Sequence, residues 1–286
     1  MAGICWLASY PKSGNTWLRA FLANLFSGLE PAERPVPIND LAKFCIADDF
    51  YGDYARCAET TADRLSETEL LRLRPRVHER FAAASAQTTF VKSHNAAIAI
   101  DGVPLITPAL TAGAIYVARN PLDVAVSYAS HFQISLEQTV AELCNPSNSL
   151  PPSDGLMRRY LESWSGHVRS WTRAPGLRLH LVRYEDMSAN PLETFEGIVQ
   201  FLGLPEARAR LERAIAFSSF AELERQETSQ GFEEARPDGK ARFFRQGKVG
   251  AWRQALSEAQ TRRLIEAHGE VMLELGYLDR GGELKV

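Results

Sequence analysis

A nine-residue stretch near the start, Ser9-Tyr10-Pro11-Lys12-Ser13-Gly14-Asn15-Thr16-Trp17, restricts what this chain can fold into more than any other part of it. Before it, Ile4-Cys5-Trp6-Leu7-Ala8 is a short apolar run that ends at a proline; after it, Trp17, Leu18, Phe21, Leu22 and Leu25 recur at helical spacing. The pattern predicts strand, tight loop, helix. In that geometry the first N–H groups of the helix have no intrahelical acceptor and converge above the strand, with the positive end of the helix dipole behind them. Lys12 adds a formal charge to this cradle, Ser13 and Thr16 add hydroxyl donors, Gly14 lets the backbone approach a phosphate closely, and Trp17 offers a flat face to a ring. On loop chemistry alone, an anion cradle and an ordinary strand-to-helix connection with a solvated lysine stay equally open. The loop is not a Walker A loop, because Lys12 precedes its glycine.

The same arrangement recurs downstream. Thr89-Phe90-Val91-Lys92-Ser93 reads as a strand ending at His94. Ala114-Ile115-Tyr116-Val117-Ala118-Arg119 stops at Asn120-Pro121, where Asn as N-cap and Pro at the first helical position open a helix carrying Asp123, Ser127 and Tyr128. Leu177-Arg178-Leu179-His180-Leu181-Val182-Arg183 alternates as a strand and ends at Tyr184-Glu185-Asp186. Strands separated by helices imply parallel pairing through right-handed crossovers. The expected fold is therefore α/β, a single domain over 1–286 with a P-loop-like open parallel sheet flanked by helices. Ligands in such sheets bind beyond the carboxyl ends of the strands, and those ends offer Lys12, His94, Arg119 and Tyr184.

Residues 39–86 read as helices and connections to one side of the sheet, an insert or lid for an acceptor site. Within them, Ser66-Glu67-Thr68-Glu69 marks a helix start. Mobile loops are expected around 145–155, rich in Pro, Ser and Asn, and around 225–240, polar and without pattern.

Composition narrows the partners. The 35 acidic residues slightly outnumber the 32 basic ones and the two are interspersed, which argues against nucleic acid. No apolar run approaches the roughly 20 residues needed to span a bilayer, so no membrane is expected. The first strand begins almost at Met1 and feeds straight into the loop, so a cleavable signal peptide would remove the loop's own strand; the expectation is a cytoplasmic protein. Cys5, Cys45, Cys57 and Cys144 match no common zinc spacing and read as free thiols. The remaining histidines form no metal-spaced set.

Taken together and in order, Ser9 to Trp17, Val91-Lys92-Ser93-His94, Tyr116-Val117-Ala118-Arg119-Asn120-Pro121-Leu122-Asp123-Val124-Ala125-Val126-Ser127, Tyr184-Glu185-Asp186-Met187 and Arg245-Gln246-Gly247-Lys248-Val249-Gly250-Ala251-Trp252 resemble the cytosolic-type sulfotransferases. These use 3′-phosphoadenosine 5′-phosphosulfate (PAPS) as donor and release adenosine 3′,5′-bisphosphate (PAP). The opening Gly3-Ile4-Cys5-Trp6-Leu7-Ala8 resembles bacterial small-molecule members.

The resemblance implies that Lys12 and the amides of Ser13, Gly14, Asn15 and Thr16 hold the 5′-phosphosulfate. It implies that Trp17 and Tyr184, with Ser218 or Ser219, hold the adenine, while Arg119, Ser127, Arg245, Gln246 and the backbone at Gly247 hold the 3′-phosphate. His94 is implied as the general base toward a hydroxyl of a small or medium-sized acceptor, Lys12 and Ser127 as its catalytic companions, and no metal is required. Many relatives carry Lys where Gln246 stands. His131 with Phe132 is expected to edge the acceptor pocket. Each residue has a plainer reading: His94 as a packed strand-end histidine, Arg119 as a cap on neighbouring carbonyls, and Trp164, Trp171 and Trp252 as core aromatics. A kinase using ATP and a non-catalytic nucleotide-sensing module are the rival functions.

Overall fold

The computed structural model describes residues 3–27, 34–61, 64–153, 155–205, 207–235, 242–245 and 247–285. They gather into two compact units. One comprises Met1–Tyr10, Cys45–Tyr116 and Glu142–Leu181, the other Pro11–Phe44, Val117–Ala141 and Val182–Val286.

The first unit carries most of a 5-stranded parallel sheet flanked by helices. Its strands are Gly3–Ser9 (β1), Ile46–Ala47 (β2), Thr88–Ser93 (β3), Thr111–Ala118 (β4) and Leu179–Arg183 (β5), in the spatial order β2-β3-β1-β4-β5. β1 runs parallel to β3 in a register from Gly3 opposite Thr88 to Ala8 opposite Ser93, and β2 sets Ile46 and Ala47 against Val91 and Lys92. A strand covered on both faces has no need to alternate, which is why β1 is a continuous apolar run and is buried from Ile4 to Ser9.

The helix Glu67–Ala83 (α2) packs on β1 and β3 in this unit. It opens with a capping box, Ser66 and Glu69 bonding each other's backbone. Trp164 and Trp171, on a helix from Trp164 to Thr172, are fully buried core aromatics, each worth a few kcal/mol of burial, about 2–3 by the usual area scale. Cys5, Cys45 and Cys57 are buried free thiols, and burial pushes Cys5 up to about 12.

The chain leaves the first unit immediately after Tyr10, Tyr116 and Leu181, that is, at or near the carboxyl ends of β1, β4 and β5. The segments beyond those ends build the second unit. Its helices include Asn15–Phe26 (α1), Pro121–Phe132 (α3), Pro191–Phe201 (α4), Arg208–Phe217 (α5), Phe220–Gln230 (α6) and Glu258–Glu274 (α7). α3 starts as its sequence requires, with the Asn120 side chain accepting from the Leu122 N–H at 3.0 Å and Pro121 at the first position.

Three departures from the sequence pattern matter. β2 is too short for its pattern to be seen, yet it adds a fifth strand at the edge. The loop expected around 225–240 is corrected in its first part. Phe220–Gln230 is a helix capped by Ser219, and its polar composition follows from its burying only Leu223 and Gln226. Residues 236–240 lie outside the described residues. Around 145–155, Ser149–Leu150 pairs antiparallel with Arg159–Tyr160, and Asn148 donates from its side chain to the Tyr10 hydroxyl at 2.9 Å. Among the described residues no helix is long and apolar enough to cross a membrane.

Candidate active site

The loop after β1 is bent by two left-handed residues. Lys12 has φ 68° and Gly14 φ 109°. For Gly14 only glycine serves, because a Cβ would come within 2.7 Å of the Tyr184 ring. Gly14 is also the N-cap of α1 and supplies no side chain to cap it, so the first-turn amides are not consumed by a cap. The half-buried Lys12 lies with Nζ 3.7 Å from the centroid of Phe243 and 3.4 Å from His131 Nδ1. An ammonium has only donors, so this His131 nitrogen accepts.

Arg119 binds this loop to the rest of the second unit. One terminal nitrogen donates to the Lys12 carbonyl at 3.3 Å and the other to the Lys248 carbonyl at 3.1 Å, while the guanidinium carbon sits 4.1 Å from the Tyr184 ring centroid. The Tyr184 hydroxyl in turn donates to the Gly247 carbonyl at 2.9 Å, and its ring meets Trp17 edge-on with centroids 5.5 Å apart. Gly247 itself has φ 59° and lies against the Phe220 ring, where a side chain would collide. Thus the loop after β1, the end of β4, the end of β5 and the C-terminal motif form one cluster. Lys12, Ser127, Ser130, His131, Ala235, Arg242, Phe243 and Arg245 line a pocket there.

The cluster fits a multiply charged anion. Among the described residues the buried Ser13 hydroxyl has no hydrogen-bond partner, and the buried Arg119 Nε and Trp17 Nε1 are in the same condition. Buried donors of this kind cost about 1–3 kcal/mol each unless something accepts from them. Three cationic side chains, Lys12, Arg242 and Arg245, line the same pocket. Among the described residues no group of three or more His, Cys, Asp or Glu is placed to hold a metal ion.

Of the other predicted contacts, Ser127 lines the pocket and Ser218 and Ser219 are placed at helix ends. The Ser218 hydroxyl donates to the Ala214 carbonyl at 2.8 Å, and Ser219 caps α6. Asn15 and Thr16 open α1 as buried residues, and Gln246 lies outside the described residues.

Several residues of the cluster carry no sequence signal of their own. Asp123 accepts from the Gly250 N–H at 2.7 Å and the Trp252 N–H at 3.0 Å, pinning the C-terminal motif onto α3. Glu185 is buried and accepts from the Asn120 N–H and the Tyr277 hydroxyl, and burial raises its carboxyl. Glu227 accepts from the Phe243 and Phe244 N–H groups, and Arg19, almost fully buried, holds Glu234 through two bonds of 2.6 and 2.7 Å. Only the positions of Asp123 and Glu185 inside the resembling motifs could have drawn attention to them.

His94 belongs to the first unit, at the end of β3. Its Nδ1 lies 2.8 Å from the Ser9 carbonyl oxygen. A carbonyl can only accept, so the ring proton sits on Nδ1 and Nε2 is the nitrogen with the lone pair. The His94 carbonyl accepts from His167 Nε2 at 3.1 Å, and His167 Nδ1 accepts from the Tyr116 hydroxyl at 2.8 Å.

His167 is fully buried, and burial lowers it to about 4. Because the unfolded imidazole titrates near 6.5, the folded state binds fewer protons between these values. The stability it contributes is present above pH 6.5 and is lost as pH falls toward 4. Between pH 7 and 4.5 the stability advantage of the wild type over His167→Gln should therefore shrink by about 2–3 kcal/mol in urea unfolding. An advantage that stays constant over that range would mean that His167 is not held neutral.

The sulfotransferase-domain family model matches residues 4–276. Sulfotransferase 1B1 of Mus musculus is 27% identical over 284 residues, covering 93% of this chain and 81% of the relative. Flavonol 3-sulfotransferase of Flaveria bidentis is 24% identical over 278 residues, covering 90% and 78%. In fold, the chain resembles mouse sulfotransferase SULT7A1 complexed with PAP (TM-score 0.60, 18% identity, 95% of this chain and 84% of that one). It also resembles retinol dehydratase in complex with androsterone and the inactive cofactor PAP (TM-score 0.63, 19% identity, 94% and 80%). With one family model running from the first strand to the end of the last long helix, across every segment that builds the anion cluster, this chain belongs to the sulfotransferase domain family.

Proposed function

We propose that the chain transfers a sulfuryl group from PAPS to a hydroxyl of a small or medium-sized metabolite by in-line attack, with His94 as general base. The observation that carries this reading is Arg119, whose guanidinium bridges the backbone at Lys12 and at Lys248 and so joins the phosphate loop to the C-terminal motif beside a cationic pocket. Arg119 Nε is left without an acceptor among the described residues, and with Lys12, Arg242 and Arg245 lining the pocket the positive charge there exceeds what a single phosphate needs, which favours a nucleotide with two anionic groups. Relatives that bear the sulfotransferase name, and a neighbour that holds PAP with androsterone, support the same donor and acceptor classes.

PAPS supplies the sulfuryl group on an activated phosphosulfate bond. Lys12 and the amides from Ser13 to Thr16 would hold its 5′ end; Arg119, Ser127, Arg245 and the Gly247 backbone its 3′-phosphate; Trp17 and Tyr184 its adenine. Lys12 brings a fixed positive charge to the side where negative charge collects on the leaving oxygen, a contribution that is mostly electrostatic in a loose transition state. His94 Nε2 takes the proton of the attacking hydroxyl.

Calorimetry with PAP and AMP tests the reading. Two or more charge-assisted bonds to the 3′-phosphate, each about 1.5–3 kcal/mol, should make PAP bind at least about 100-fold more tightly than AMP. Equal affinities would overturn it, and with labelled PAPS, PAP should accumulate only when a hydroxyl acceptor is present.

A further inference from the structure

The two-residue strand β2 is followed by Asp48, whose carboxylate makes contacts that neither the sequence pattern nor the proposed chemistry accounts for. Asp48 Oδ2 accepts from the Ser93 hydroxyl at 3.0 Å and from the Asn95 side-chain amide at 3.2 Å. Those residues stand on either side of His94. The same oxygen accepts from Arg74 of α2 at 3.1 Å, and the Asp48 N–H donates to the Lys92 carbonyl at 3.1 Å. Asp48, Arg74, Ser93 and Asn95 are all buried to within 1% of complete.

The far side of the strand end is tied as well. The Asn95 side-chain oxygen accepts from the Tyr160 N–H at 2.9 Å, the Asn95 carbonyl from Trp171 Nε1 at 3.0 Å, and the His94 carbonyl from His167 at 3.1 Å. A buried carboxylate that is shared between the residues before and after a half-buried histidine fixes the φ and ψ on which the ring's direction depends.

We infer that Asp48 is a positioning residue for His94: its carboxylate clamps Ser93 and Asn95 and thereby aims the imidazole. Ordinary fold-stabilising ion pairs do not do this. Arg74 alone would satisfy one oxygen of Asp48, whereas here a single oxygen serves Arg74 and both neighbours of His94. Misaiming a catalytic group by about 1 Å costs on the order of 100-fold in rate, so the loss of the clamp should be visible in kcat. The effect belongs to kcat and leaves donor binding alone, because the Lys12, Arg119 and Tyr184 cluster is built from other residues.

This inference rests on the reading of His94 as the base, and a double-mutant cycle keeps the two apart. Asp48→Ala, which removes the accepting oxygen, should lower kcat about 10- to 100-fold with the dissociation constant for PAP unchanged, and should lower the residual rate of His94→Ala less than twofold. If His94→Ala itself has nearly normal kcat, the base assignment falls, and with it this inference. If His94→Ala is slow but Asp48→Ala is as fast as the wild type, or slows both backgrounds equally, the clamp alone is overturned. Should Asp48→Ala fail to fold because Arg74 is left buried and unpaired, Ser93→Ala removes one arm of the clamp and runs in the same cycle. There a fall of about threefold or more, confined to the His94 background, supports the assignment; equal effects in both backgrounds reject it.

Discussion

Replacing Lys12 by alanine is expected to lower kcat by about 10³-fold, the largest loss of any single change in the donor cluster. Removing one preorganised donor from a site where charge develops commonly costs 10²–10³, and a full positive charge at a phosphoryl-type centre can be worth more. Lys12 meets the conditions for such a role. Its ammonium is half-buried, lies 3.7 Å from the Phe243 ring and 3.4 Å from His131 Nδ1, and so reaches the pocket with much of its rotamer freedom already removed. The backbone there is strained, because φ 68° is unfavourable for any residue with a Cβ by about 1 kcal/mol.

That strain gives the experiment its control. Lys12→Gly removes the charge and relieves the backbone, whereas Lys12→Ala removes the charge and keeps the strain. The glycine variant should be the more stable of the two by about 1 kcal/mol in thermal unfolding, yet the two should share the same kcat loss. A kcat within tenfold of wild type in both would remove Lys12 from the chemistry. A loss in the alanine variant that glycine repairs would assign the effect to loop shape and not to charge.

How much of this could be seen in the sequence depended on how far apart the interacting residues lie along the chain. The strand, loop and helix at residues 3–26 are legible because a strand, Lys12, Gly14 and an amphipathic helix are contiguous, and the start of α3 because Asn120 and Pro121 are adjacent. His94 could be found from its strand.

Asp48 could not, since it comes after a strand of two residues and its partners Arg74, Ser93 and Asn95 stand 26, 45 and 47 positions later. Arg19 and Glu234 are separated by 215 positions, and nothing local announces that these charges meet. The helix Phe220–Gln230 was hidden for a different reason. A helix that buries two side chains has no apolar stripe to detect, and its cap, Ser219, is a residue equally at home in a loop. Asp123 and Glu227 accept from backbone N–H groups remote in sequence, so they have no complementary residue whose type could have marked them, and Glu185 meets its side-chain partner, Tyr277, 92 positions later.

His94→Ala should lower kcat by about 10²–10⁴-fold, the range for loss of a positioned general base, while PAP still binds normally. The size of the loss should depend on the acceptor, and this dependence separates proton transfer from structural damage. With Nδ1–H donating to the Ser9 carbonyl, the imidazole can offer only Nε2 as acceptor, so in the proposed role its contribution would be to take a proton from the attacking oxygen. An aliphatic alcohol holds that proton tightly and depends fully on the base. A strongly acidic phenol is already ionised near neutral pH and gains little from one. Across a series of acceptors from aliphatic alcohols to acidic phenols, the ratio of wild-type to His94→Ala rates should fall by at least about tenfold as acceptor acidity rises. A variant that merely distorted the end of β3 would slow every acceptor alike. Measured with saturating PAPS, a constant ratio across the series would therefore exclude His94 as the base even if the variant were severely impaired.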